Sequence, residues 1–207
     1  MFVGGGAGFS ASISDGAFSM EASCSPVGIF GFIVYLGLYI WSLAGQVATP
    51  KRTPPQSMRW RALCLFLDIP VIVCLVTVPM ALVALLIESS HTGQFVWNFA
   101  RTSPSPSDSA IMAAFYVSLV IDLVVYALPV GLQRQSPGSL ITNSFTQSKN
   151  PSVLRAVGRA MLSIFVLTLG AISIPMAWAR KDKRFWHDVA FDTYPIRLTG
   201  VARKSTK

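Results

Sequence analysis

The chain has 207 residues, of which 52% are apolar and only 13% charged, with 17 Lys and Arg against 9 Asp and Glu for a formal net charge of +8. A water-soluble domain coats itself with about 25% charged residues, so this composition, with a mean hydropathy of +0.54, excludes an ordinary soluble domain and points to lipid as the solvent. Lys and Arg flanking membrane helices produce the same basic balance when they face anionic headgroups, at about 1 kcal/mol each near the surface, so anionic membrane lipids are the expected partners and nucleic acid is not.

Residues 1–26 are rich in Gly and Ser and carry only Asp15 and Glu21 as charges. Without a basic start they do not make a cleavable secretory signal, and they are expected to form a flexible N-terminal tail. Four apolar blocks follow, at residues 27–45, 62–87, 110–132 and 160–179. Each is near the roughly 20 residues that a hydrocarbon core of about 30 Å demands of a helix. The first block sets up an additional transmembrane helix over residues 27–47.

Lys51, Arg52, Arg59 and Arg61 precede the second block; Glu88, Arg101 and Asp108 lie between the second and third; Arg134, Lys149, Arg155 and Arg159 follow the third. Lys and Arg of short loops stay on the cytoplasmic side during insertion. The expected orientation is the N-terminus outside, loop 48–61 inside, loop 88–109 outside and loop 133–159 inside.

The fourth block leaves two arrangements open. A full crossing would place eight Lys or Arg against three Asp, from Arg180 onward, on the outer side. Gly170 and Pro175 instead allow a re-entrant hairpin, which is permitted where protein or water satisfies the freed backbone groups. The expected fold class is thus an all-α integral membrane, multi-pass bundle of three spanning helices plus a fourth spanning or re-entrant helix. A basic C-terminal tail over residues 198–207 closes the chain. Residues 139–152 and 189–207 are open between strand and loop.

No enzyme is expected. Cys24, Cys64 and Cys74 lack metal-ligand spacing, His91 and His187 belong to different segments, and no phosphate loop or nucleophile motif is present. No cofactor and no metal are therefore anticipated. The chemistry that remains is carried by two acids inside the apolar blocks, Asp68 and Asp122. An isolated acid at the bilayer centre costs about 2.5–3.5 kcal/mol on insertion scales, so such groups turn inward and find partners. Both are expected roughly 6–15 Å deep in the cytoplasmic half, where a close approach would favour a shared proton or a bound cation. Ser118, Asp122 and Tyr126 recur every four residues and form a polar stripe that either lines a pathway or bonds a neighbouring helix. Interhelical hydrogen bonding at about 1 kcal/mol accounts for the same residues.

Arg61 lies seven residues before Asp68, on the same helix face but two turns and about 10 Å away, too far for a direct pair. Arg61 either snorkels to the headgroups or pairs with an acid from elsewhere in the chain. Asp188, in the stretch Arg184-Phe185-Trp186-His187-Asp188, is the candidate, on the same face as Arg61 if the fourth block re-enters and out of reach if it spans.

At these residues a family resemblance emerges. The segment RALCLFLD at 61–68 resembles the first signature of the RDD family of membrane proteins, QSPG at 135–138 resembles its turn after the second helix, Arg155 and Arg159 resemble its basic run, and WHDVAFDT at 186–193 resembles its closing His-Asp motif. The resemblance covers residues 58–197 as an RDD-like membrane domain, and its name letters fall on Arg61, Asp68 and Asp188. The chain departs from the pattern at Ser139, where the family carries a Lys, and in its helix at 27–45, which lies outside the family region. Asp122 matches no signature.

The resemblance implies transport, of cations and protons or of small solutes, with cation/proton exchange as the activity proposed for some members. On that reading Asp68, with Asp122, is an alternating proton and cation site, and Arg61 sets its field. The alternative is a non-catalytic accessory or scaffold subunit of a larger membrane complex, with partner membrane subunits or a homo-oligomer. The small chain shows no inverted repeat of the kind many transporters use, and Gly28, Gly31 and Gly37 on the first helix permit close helix approach. Arg61, Asp68, Asp122, His187 and Asp188 are the candidate functional residues.

Overall fold

Among the described residues three helices are long and apolar enough to cross a membrane: α1 (Pro26–Ala44), α2 (Met58–Thr92) and α3 (Asp108–Gly131). The structure, a computed structural model, describes residues 7–14, 17–45, 55–168, 170–182 and 184–198. The expected cytoplasmic cations Lys51 and Arg52 and the tail from residue 199 onward lie outside the described residues.

Local chemistry sets the helix ends. Ser25 Oγ accepts from the Gly28 N–H at 3.2 Å, and Pro26 opens α1 where its missing N–H costs nothing. Val27, Phe30, Ile33, Ile40 and Trp41 on α1 are all exposed, an apolar surface suited to lipid rather than water. α2 has 35 residues, about 52 Å of rise and more than a bilayer core needs. It stops where Gly93 takes a φ of 73° and its N–H bonds the Ser89 carbonyl at 2.8 Å, a left-handed cap that glycine adopts without a Cβ penalty.

The chain forms two compact units, Met1–Gly37 with Ile72–Asp122 and Leu38–Val71 with Leu123–Lys207. The first corrects the expectation of a flexible tail. β1 (Ala7–Ser14) and β2 (Ala17–Cys24) pair antiparallel, with Ala7 opposite Cys24, and β3 (Asn98–Arg101) joins the free edge of β2 with Met20 opposite Arg101. Met20, Ala22 and Cys24 alternate onto one face of β2 and are buried with Val78, Ala81 and Leu85 of α2 and Ile111 of α3. The sequence carries Asp-Gly at 15–16, a pair that favours two-residue turns, between two eight-residue runs, and these two residues lie outside the described ones. Hydropathy masked the hairpin signal, because Gly, Ser and Glu are interleaved there with the apolar residues.

The second unit adds α4 (Pro137–Ile141), β4 (Ser144–Ser148), α5 (Val153–Thr168), α6 (Gly170–Ala179), α7 (Trp186–Ala190) and β5 (Thr193–Arg197). β4 and β5 pair antiparallel, with Phe145 opposite Ile196, and both side chains are buried. The strands left open by the sequence are thus a ribbon, and the all-α expectation is corrected to a mainly helical fold with five strands among the described residues. Ala127 of α3 packs with Ala156 and Ala160 of α5, where small side chains let two helix backbones come close. The fourth apolar block is divided between the end of α5 and α6, with residue 169 outside the description.

Phe145→Ala removes a side chain that is 2% exposed and is expected to cost about 3–5 kcal/mol, read as a lowered unfolding midpoint of the purified protein in mild detergent.

Candidate functional site

Two polar nests lie in the second unit, and α2 contributes to both. Asp68 is buried and its carboxylate is held on both oxygens. Oδ2 accepts from Ser136 Oγ at 2.6 Å and from the Cys64 thiol at 3.5 Å; Oδ1 accepts from the Gly138 N–H at 2.7 Å. Each residue of the QSPG turn has a place in this nest. Gln135 Nε2 donates to the Ser144 carbonyl at 2.8 Å, Ser136 caps α4 by accepting from the Ser139 N–H, and Pro137 occupies the first helical position. A Cβ at Gly138 would drive into the Cys64 carbonyl oxygen and stand 2.9 Å from Asp68 Oδ1, so only glycine lets this backbone reach the acid.

The second nest surrounds Asp188, whose side chain is 1% exposed. Arg159 reaches Oδ1 with Nη2 at 2.6 Å and with Nε at 3.0 Å. Arg61 reaches Oδ2 with Nη1 at 3.2 Å. Thr193 Oγ1 donates to Oδ1 at 3.1 Å and accepts from Arg159 Nε at 3.1 Å. The Arg61 guanidinium also lies over the Phe185 ring at 5.8 Å, and Phe185 stacks on His187 with centroids 5.5 Å apart.

Burial alone would raise the Asp188 carboxyl, but Arg159, His187 and Arg61 overcome it and hold the group below its usual range. Burial pushes His187 the other way, down to about 4, with Arg159 and Arg61 adding to the effect against the pull of Asp188. His187 Nε2 lies 3.5 Å from Asp188 Oδ1, and at neutral pH the ring is uncharged.

The structure therefore brings Arg61, His187 and Asp188 together and places Asp68 in a nest of its own. Asp122 falls in the other unit; it is half-buried, and its Oδ1 is buried with no hydrogen-bond partner among the described residues. Ser118, on the same stripe, donates back to the Phe115 carbonyl of its own helix at 2.7 Å. Among the described residues no three His, Cys, Asp or Glu gather into a metal-ligand set.

Sequence reasoning missed the role of Arg159, which it placed only in a basic run. It also read Glu88, Arg101 and Asp108 as separate loop charges. In the first unit Arg101 pairs with Glu88 at 2.5 Å and with Asp108, while Ser107 Oγ donates to Glu88 Oε2 at 2.7 Å. Neither grouping has a local spacing signal, because the partners are brought together by chain reversal.

The sequence profile of the RDD family matches residues 55–192. No curated protein and no solved structure matches the chain.

Two outcomes test these nests. Gly138→Ala is expected to destabilise the protein about as much as Asp68→Asn, by 1–3 kcal/mol for an unsatisfied buried group, measured as the drop in unfolding midpoint. Because the folded protein holds His187 near 4 and an unfolded histidine titrates near 6.5, the unfolded state binds the extra proton. Stability is then fully present above about 6.5 and falls as pH drops toward 4; His187→Asn is expected to flatten that slope.

Proposed function

This chain belongs to the RDD family, and from that membership and the two nests we propose that it is a multi-pass, non-enzymatic accessory or scaffold subunit of a larger membrane complex. The observation that carries this reading is the saturation of Asp68 by Ser136, Gly138 and Cys64. An acid that alternates between proton and cation must exchange its partners, whereas Asp68 spends its lone pairs holding α4 in place. The exposed apolar side chains of α1 offer the surface that an accessory subunit requires. Among the described residues no atom beyond the local backbone of α1 comes within 4 Å of where a Cβ would stand at Gly31 or Gly37, and small residues on an open helix face let a neighbouring helix approach closely.

The reading includes a topology. Loops 48–61 and 133–159 are cytoplasmic by their cations, and the fourth apolar block re-enters rather than crosses. Arg159 and Asp188 bracket that block and meet at 2.6 Å, with Arg61 on the same carboxylate. The part of α5 beyond Arg159 and the whole of α6 have nine and ten residues, about 13 and 15 Å of rise, which suits a path in and back. Cysteines introduced at Asn150 and Asp192 are expected to label from the same face of sealed vesicles; labelling from opposite faces would restore the full crossing.

A second reading, cation/proton transport, is favoured by one observation, the unpartnered Asp122 Oδ1. Gentle extraction followed by native mass spectrometry separates the two. A stoichiometric larger complex is expected. A lone protein that carries proton-coupled cation flux in liposomes, with the flux lost in Asp122→Asn, would sink the scaffold reading.

A further inference from the structure

Four buried nitrogens around the start of α2 have no hydrogen-bond acceptor among the described residues: Gln56 Nε2, Arg61 Nε, Arg61 Nη2 and Arg184 Nη1. They belong to one corner of the second unit. The Gln56 N–H bonds the Pro195 carbonyl at 3.0 Å, the Arg184 guanidinium lies 4.3 Å over the ring of the adjacent Tyr194, and Arg61 is within Coulombic reach of Arg184 and Asp182. Each arginine already serves one carboxylate. Arg61 uses Nη1 on Asp188, and Arg184 uses Nε on Asp182 at 2.7 Å.

What remains is a surplus of donors and of positive charge. Arg61, Arg159, Arg180 and Arg184 face two carboxylates, Asp182 and Asp188, and His187 is neutral. A buried donor without an acceptor is destabilising, more so when it is charged, so the corner is short of an acceptor with negative charge and several oxygens. The Gln56 side chain belongs to a residue only 4% exposed, which excludes bulk water as its ordinary partner. The Arg61 and Arg184 side chains keep 11% and 14% exposure, so the corner lies at the surface of the unit rather than in its core.

We infer that Gln56, Arg61 and Arg184 form a binding site for a phosphate group, with the two guanidinium forks taking its oxygens and the Gln56 amide fixing its orientation. Phosphate suits the donor set because guanidinium N–H pairs match its oxygens two at a time. A phospholipid headgroup and free inorganic phosphate share this chemistry. The site differs from the diffuse attraction that exposed juxtamembrane cations exert on any anionic surface, because its donors are buried and one of them is uncharged.

The test uses the full-length protein, delipidated in a neutral detergent, with phosphatidylglycerol, phosphate-free diacylglycerol and inorganic phosphate titrated separately and followed by native mass spectrometry and thermal midpoint. Phosphatidylglycerol is expected to bind at least about tenfold more tightly than diacylglycerol and to raise the midpoint; an equal effect of inorganic phosphate would assign the site to the free ion. Gln56→Leu combined with Arg184→Gln is expected to bring phosphatidylglycerol down to the diacylglycerol level, while Arg203→Gln, Lys204→Gln and Lys207→Gln together leave it unchanged. Unchanged preference in the first variant, or loss only in the second, overturns the proposal. So does a wild-type protein that binds neither phosphatidylglycerol nor inorganic phosphate more tightly than diacylglycerol, whether or not the variants fold.

Discussion

A carboxylate with 1% of its side chain exposed keeps its charge only beside close cations, and Asp188 does so between Arg159 and Arg61. Four elements of the second unit meet at this group: α2 through Arg61, α5 through Arg159, β5 through Thr193 and α7 through Asp188 itself. α7 has five residues and its N-cap position, Phe185, makes no side-chain cap bond. So short a helix does not persist by its own hydrogen bonds; its place is set by the ion pairs. Replacing such a pair by apolar groups is often neutral, but losing one partner alone costs about 3–5 kcal/mol, so the triad acts as a lock on position more than as a source of net stability.

The Asp68 nest repeats the arrangement with neutral donors. α4 is also five residues long, and it is anchored by an acid on α2 that takes the Ser136 hydroxyl and the Gly138 N–H. Arg61 and Asp68 are seven residues apart, two turns along one face of α2. That spacing gives the family signature a physical meaning. One helix face holds two short helices, α7 through Arg61 with Asp188 and α4 through Asp68. Glycine at 138 follows from the same constraint, because the backbone of α4 must touch the acid directly.

Much of this was legible in the residues. The three apolar helices announce themselves by length and hydropathy, whereas the pairing of Arg61 with Asp188 was one of two outcomes, left open by whether the fourth apolar block re-enters or spans. The β1–β2 hairpin was not legible from hydropathy, since its buried residues Met20, Ala22 and Cys24 are interleaved with Ser and Glu. The β4–β5 ribbon joins segments on either side of α5 and α6, and its pairing of Phe145 with Ile196 has no local trace. Arg159 was visible as a cation, but its selection over Arg155 as the partner of Asp188 depends on which face of α5 turns inward.

The sequence by itself determined which segments must leave water, because helix length and side-chain transfer energy are properties of the segment alone. It also determined the chemistry available at the polar ends, down to Arg61, Asp68, His187 and Asp188. Only the tertiary structure decided what those groups do. Whether Asp68 is an open acid or a filled one depends on three donors, two of them from residues about seventy positions away. Whether Asp188 is neutral or charged depends on cations 29 and 127 residues distant. Ionisation and hydrogen bonding respond to distance in space, which local sequence periodicity does not encode.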